Sequence, residues 1–242
     1  MWVSGAADVG RVASHIVEAL SIGAVPVALA TCAAAGVEQA ALLSMAVAVL
    51  SLLLFFAGYE KGRPRLRDTM PVAVLAALAA AGRILFAPIP SFKPVAAIAI
   101  IAGAVFGRRS GFLVGALAAL ASNFFFGQGP WTPWQMYAWG LAGYLGGALA
   151  AAGALDRTPV LLGYGFLSGI LYGLILNLWS IIGFYHPQTL AQAALVYAAA
   201  LPFDVVHGLS TAFFLAVLYA PWKRKLSRVK RKYALGDRRR AA

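Results

Sequence analysis

The sequence has a single cysteine, Cys32, and only eight acidic residues against twenty Lys and Arg. One thiol excludes a disulfide or a cysteine-built metal site within one chain. The residues before Cys32 (Leu29, Ala30, Thr31) fit a lipoprotein cleavage site poorly, and Asp8 and Glu18 are wrong for the basic start of a signal peptide. Asp204 is the one clear carboxylate inside an apolar stretch. The chain therefore lacks the series of acids that a proton or sodium relay needs. It also lacks G-x-x-x-x-G-K-[ST], so it does not bind ATP through a P-loop. No His/Glu metal motif occurs, and Ser168-Gly169 lacks the glycine of a nucleophile elbow. No metal, no cofactor and no catalytic residue is expected.

What is abundant is apolar surface. Hydrophobic residues make up 62% of the chain, and mean hydropathy is +0.80. Several stretches reach about 18 residues with few or no charges, enough to cross the hydrocarbon core. Backbone amides in lipid must pair within their own segment, so these stretches are predicted helices. The net charge of +12 does not point to nucleic acid, because of where it lies. Ten of the twenty Lys and Arg follow Pro221, and four more lie between Lys61 and Arg67. Arg108, Arg109 and Arg157 occupy loops on the same side as these, and Arg11 joins them if the N-terminus is there. Only Arg83 and Lys93 belong to the other side. This bias places both termini in the cytoplasm of a multi-pass cell-membrane protein. The basic tail faces the anionic lipid bilayer.

The predicted spans are 17–36, 40–58, 69–87, 93–107, 110–126, 133–152, 159–184 and 195–220. They divide the chain into a two-helix appendage (1–60), a six-helix core (61–222) and a basic tail (223–242). Small residues recur at spacing four: Gly165, Gly169 and Gly173; Gly143 and Gly147; Ala73, Ala77 and Ala81; Ala76 and Ala80. That spacing lets helices approach closely in lipid. The glycines read as packing within the subunit, whereas the alanine stripe suits either packing or a partner helix.

Polar side chains gather at one depth, in the outer half of the core. Arg83 lies near the end of the first core helix and Asn123 near the end of the third. Gln135, Trp131 and Trp134 open the fourth, beside Gln128. Asn177 lies late in the fifth. Asp204 and His207 share a face of the sixth. Polar groups are costly in lipid and often mark function. The inner half is almost wholly Ala, Leu, Val and Gly. A substrate pocket open to the outside and sealed below is the expectation, with Lys93 in the outer loop as a further contact. Each residue also has a structural reading: Arg83 snorkelling to headgroups, Trp131 and Trp134 in an interfacial belt, the amides and Asp204 joining helices.

The core resembles a known family, on three stretches: RPRLRDTMPVAVLAALAAAGR, KPVAAIAIIAGAVFGRRSGFLVGALAALASNFFFGQGPWTPWQM and LPFDVVHGLSTAFF. These stretches, which fall between Arg63 and Phe214, resemble the substrate-binding S component of energy-coupling factor (ECF) vitamin transporters. The resemblance implies an all-α membrane fold with six transmembrane helices, here preceded by two extra ones. It implies a vitamin-sized ligand near the outer face, under the loop from Ala87 to Lys93. It implies a transmembrane T subunit gripping Ala73 and Ala77, with Ala76 and Ala80, and two cytoplasmic ATPases that drive the cycle. FGQGPWT is closest to members assigned to cobalamin-type uptake, and queuosine precursors, benzimidazoles or another vitamin suit the same residues. Cobalt ligation by His186 or His207 is compatible with a corrinoid. Two other classes stay open: an intramembrane lipid or isoprenoid enzyme using Asp204 and His207, and a structural membrane subunit.

Overall fold

The computed structural model describes residues 66–235 and a few isolated positions between 23 and 56. The chain divides into two compact units, Met1–Arg63 and Pro64–Ala242. The predicted spans 17–36 and 40–58 lie outside the described residues, as does the end of the basic tail.

Among the described residues the second unit is entirely helical. Its helices are α1 (Leu66–Leu85), α2 (Val95–Phe106), α3 (Arg108–Phe126), α4 (Thr132–Ala151), α5 (Thr158–Ser180) and α6 (Leu190–Lys232). A 3₁₀ turn, Ala154–Asp156, joins α4 to α5, and α5 runs on through a π turn, Ile181–Tyr185. Four of these segments are long and apolar enough to cross a membrane. Large apolar side chains face outward on them, including Phe124, Leu167 and Val217. That surface suits lipid rather than water.

Local chemistry sets the boundaries. Pro133 and Pro159 occupy the first turns of α4 and α5, where a missing N–H costs nothing. The Thr189 side chain caps α6 by accepting from the Gln192 N–H. Gly107 alone separates α2 from α3. Its φ of 99° lies where only glycine is unstrained, which permits a reversal within one residue.

Two elements differ from the sequence expectation. Helix α2 has only 12 residues, about 18 Å at 1.5 Å per residue. It is buried all round and forms the axis of the bundle rather than a lipid-facing span. Helix α6 does not stop near residue 220. It continues for 43 residues, about twice the thickness of a hydrocarbon core. Residues 223–232, the first half of the basic tail, are thus helical. They are anchored by Lys223, which bonds Asp156 at 2.6 Å, and by Lys230, whose ammonium bonds the Val105 carbonyl at 2.6 Å. The second contact satisfies a carbonyl in the last turn of α2, one of those with no partner inside the helix.

Glycine seams hold the helices together. Gly103 and Gly111 abut the Gly143 backbone, which draws α2, α3 and α4 into direct contact. On α5, the predicted glycine ladder faces α6 rung by rung: Gly165 against Ala212, Gly169 against Gly208, and Gly173 against the Asp204 carboxylate. Close backbone approach replaces side-chain interdigitation along both seams.

Candidate functional site

Five helices bring polar side chains to one end of the bundle, the end opposite the basic extension of α6. Arg83, in the last turn of α1, lies where a cation complements the helix dipole. Its Nη1 donates to Ser122 Oγ and to Asn123 Oδ1, both at 2.6 Å. Its guanidinium also lies 4.5 Å from the Phe126 ring centre and 4.9 Å from that of Trp139. Both distances suit cation–π attraction.

Asn123 is completely buried and is the hub. Besides accepting from Arg83, its amide donates to Thr132 Oγ1 and Gln135 Oε1, each at 2.9 Å. Thr132 in turn donates to Gln128 Oε1 at 2.9 Å. Gln128 itself is exposed and ties the α3–α4 loop to the Leu120 carbonyl. A hydrogen-bonded chain therefore runs from α1 through α3 to the start of α4.

A second group lies between α5 and α6. Asn177 Nδ2 donates to Asp204 Oδ2 at 3.0 Å. Tyr172 packs against both groups through its ring. Its ring stacks on Trp139 at 4.8 Å and meets the His207 ring edge-on at 4.6 Å. Tyr172 thus links the two groups. Trp131 and Trp179 meet edge to face at the rim.

Among the described residues, three polar atoms at this end are buried without a hydrogen-bond partner, Trp134 Nε1, Trp139 Nε1 and His207 Nε2, as is the Tyr219 hydroxyl toward the other end. Leaving one such atom unsatisfied costs about 1–3 kcal/mol. Each therefore calls for an explanation, such as a bound molecule.

The expected residues are placed unevenly. Arg83, Asn123, Gln128 and Gln135 belong to one chain of bonds, and Asn177 joins Asp204. Asp204 and His207 share a helix face but do not bond each other, since Asp204 is held by Asn177 and the His207 ring packs on Tyr172 and Trp139. His186 is exposed, in the left-handed residue that ends the π turn. Lys93 is not a free outer contact. Its ammonium donates to the carbonyls of Phe86, Ala87 and Ile89, closing the end of α1, while its backbone exchanges bonds with Ser210. Burial, and then the nearby Arg83 charge, hold its pKa below the usual lysine value.

The alanine stripe also divides. Ala73 and Ala77 are exposed, beside Met70, Val74 and Leu78. Ala76 and Ala80 are buried and cannot share that face with a partner. The polar cluster is compactly bonded, and two cavities lined by described residues, of about 630 and 330 Å³, lie toward the basic end.

Sequence reading missed Ser122, Thr132, Trp139 and Tyr172. Trp139 stands four residues after Gln135, on the same helix face, and that spacing was the available signal.

Residues 64–232 match the model of a family of unknown function, DUF6580. The chain belongs to that family. No curated protein and no solved structure matches it. The matched region begins beside the boundary between the two units and contains every residue of the polar cluster. For this DUF6580 protein the site itself must carry the functional argument.

Proposed function

We propose that this protein is a solute-capture subunit of the cell membrane, of the ECF S-component type. It binds a vitamin or cofactor precursor at the outer face and relies on partner T and ATPase subunits for uptake. The observation that carries this reading is the trio of unpartnered buried atoms on Trp134, Trp139 and His207. Trp139 and His207 lie within the polar cluster to which five helices contribute, and Trp134 stands next to Gln135 in the sequence. A purely structural network gains nothing from leaving donors unsatisfied, whereas a binding site keeps them for its ligand.

The charge bias described above supports an outward orientation for this end. Ala73 and Ala77, on an exposed apolar face of α1, then meet the T subunit. The corrinoid expected from FGQGPWT is one candidate cargo.

The test is extraction of small molecules from the purified full-length protein, with identification by mass spectrometry. Binding is then measured without ATP, with cobalamin in the panel. A stoichiometric organic solute that also binds the purified protein supports capture. Absence of any bound solute, together with no binding across the panel, rejects it.

A further inference from the structure

We infer that the ligand of this site is an organic monoanion whose carboxylate is gripped by the free edge of Arg83. The inference rests on the capture reading above and adds the ligand's chemical class.

The first argument is geometric. A guanidinium has five donors in a planar fork. Both hydrogen bonds of Arg83 leave from Nη1, toward Ser122 and Asn123. The edge formed by Nε and Nη2 makes no bond to any described residue. That edge is the one that matches a carboxylate bidentately. Ser122, Asn123, Phe126 and Trp139 fix the plane of the group. A fork already oriented loses little entropy when it binds.

The second argument is charge. Among the described residues, the formally charged groups of this end are Arg83, Lys93 and Asp204. No carboxylate pairs with Arg83, whose recorded partners are a hydroxyl, an amide and two rings. Asp204 is held by Asn177 instead. Lys93 cannot take the anion directly, because its ammonium is bound to carbonyls, but its charge adds to the local positive potential. Two cations against one carboxylate leave one positive charge for the ligand to neutralise. A half-buried cation favours such a neutral complex.

The third argument concerns the rest of the molecule. Beside the fork stand the rings of Phe126, Trp139 and Tyr172, with the unpartnered Trp139 Nε1 and His207 Nε2 among them. An apolar or planar body carrying one or two polar atoms fits these surroundings. A highly charged molecule such as a nucleotide does not.

The experiment compares matched acid and neutral pairs on the full-length protein in detergent: nicotinate with nicotinamide, biotin with its amide, and pantothenate with pantothenol. Tryptophan fluorescence and calorimetry provide the readouts. At least one acid is expected to bind, with its neutral partner weaker by about tenfold or more. Arg83→Gln should abolish that preference. Arg83→Lys, which keeps the charge and loses the fork, should retain only part of it. If Arg83→Gln fails to fold, the acid-over-neutral ratio and the lysine variant still decide. Equal binding of an acid and its neutral partner overturns the monoanion while leaving capture intact, and an acid preference unchanged in Arg83→Lys overturns the grip by the Arg83 fork. Binding of neutral compounds alone overturns the monoanion as well. Binding of none of the six, with no copurifying solute, overturns both.

Discussion

Gly173 stands directly against the carboxylate of Asp204, so that a Cβ at position 173 would fall on the carboxylate itself. The glycine is the space that Asp204 occupies. Gly173→Ala should therefore displace Asp204 from Asn177 and lower stability by about 1–3 kcal/mol, the range for overpacking a filled interior. Gly163→Ala on the same helix has open space around it and should be neutral or stabilising. Thermal unfolding of both variants in detergent checks the contrast.

Asn123 should be the most sensitive single polar position. Its side chain is completely buried and serves Arg83, Thr132 and Gln135 together. Asn123→Ala leaves three groups short of a partner and should cost about 1–3 kcal/mol or more. Asn123→Asp keeps the acceptor for Arg83 but removes both donated bonds. It should bind an anionic ligand worse than wild type, because the added carboxylate satisfies Arg83 internally. Unfolding midpoints and ligand titration separate the two effects.

The two alanine pairs on α1 should respond oppositely to a bulky residue. Ala77→Phe adds volume on an exposed face and should leave folding and ligand binding unchanged. Under the proposed function it blocks association with the T subunit and stops uptake. Ala76→Phe forces a ring into a buried position and should lower the yield of folded protein. Size-exclusion profiles, followed by uptake assays with reconstituted partners, distinguish them. Normal uptake by Ala77→Phe would show that this face is not the docking surface.

Much of the fold was legible because helix ends here carry their own punctuation. Gly107, Gly127, Pro133 and Pro159 mark turns that any reading of the chain finds. The extension of α6 was not legible, because its run of Lys and Arg reads as a solvated tail. Yet Trp222, Leu226, Val229 and Tyr233 fall at helical spacing and line one cavity wall. The site was half legible. Asn123, Gln135 and Asp204 stand out as polar residues in apolar surroundings. Trp139 and Tyr172 do not, since aromatic rings are ordinary in such runs. The role of Lys93 depends on a loop conformation that composition does not encode. Ser91 adopts a left-handed φ of 55° within that loop.

Lys230 offers a further test of the helical extension. Lys230→Ala removes the bond to the Val105 carbonyl and should loosen the end of α6 without affecting the Arg83 cluster. Hydrogen exchange should speed up in residues 223–232 and remain unchanged around Asn123. Faster exchange in both regions would show that the two ends of the unit are not independent.

Helix α6 carries Asp204 and His207 near one end of its course and the basic residues Lys223 to Lys232 at the other. About 24 Å of helix separates His207 from Lys223. Pro202 and Pro221, each lacking a backbone donor, are the two points where that rod bends most readily. One uninterrupted helix thus carries both the polar cluster and the cationic segment, and Lys223 and Lys230 pin that segment to Asp156 and to the Val105 carbonyl. The direction in which those lysines and arginines project is set by the packing of the bundle rather than by a loop.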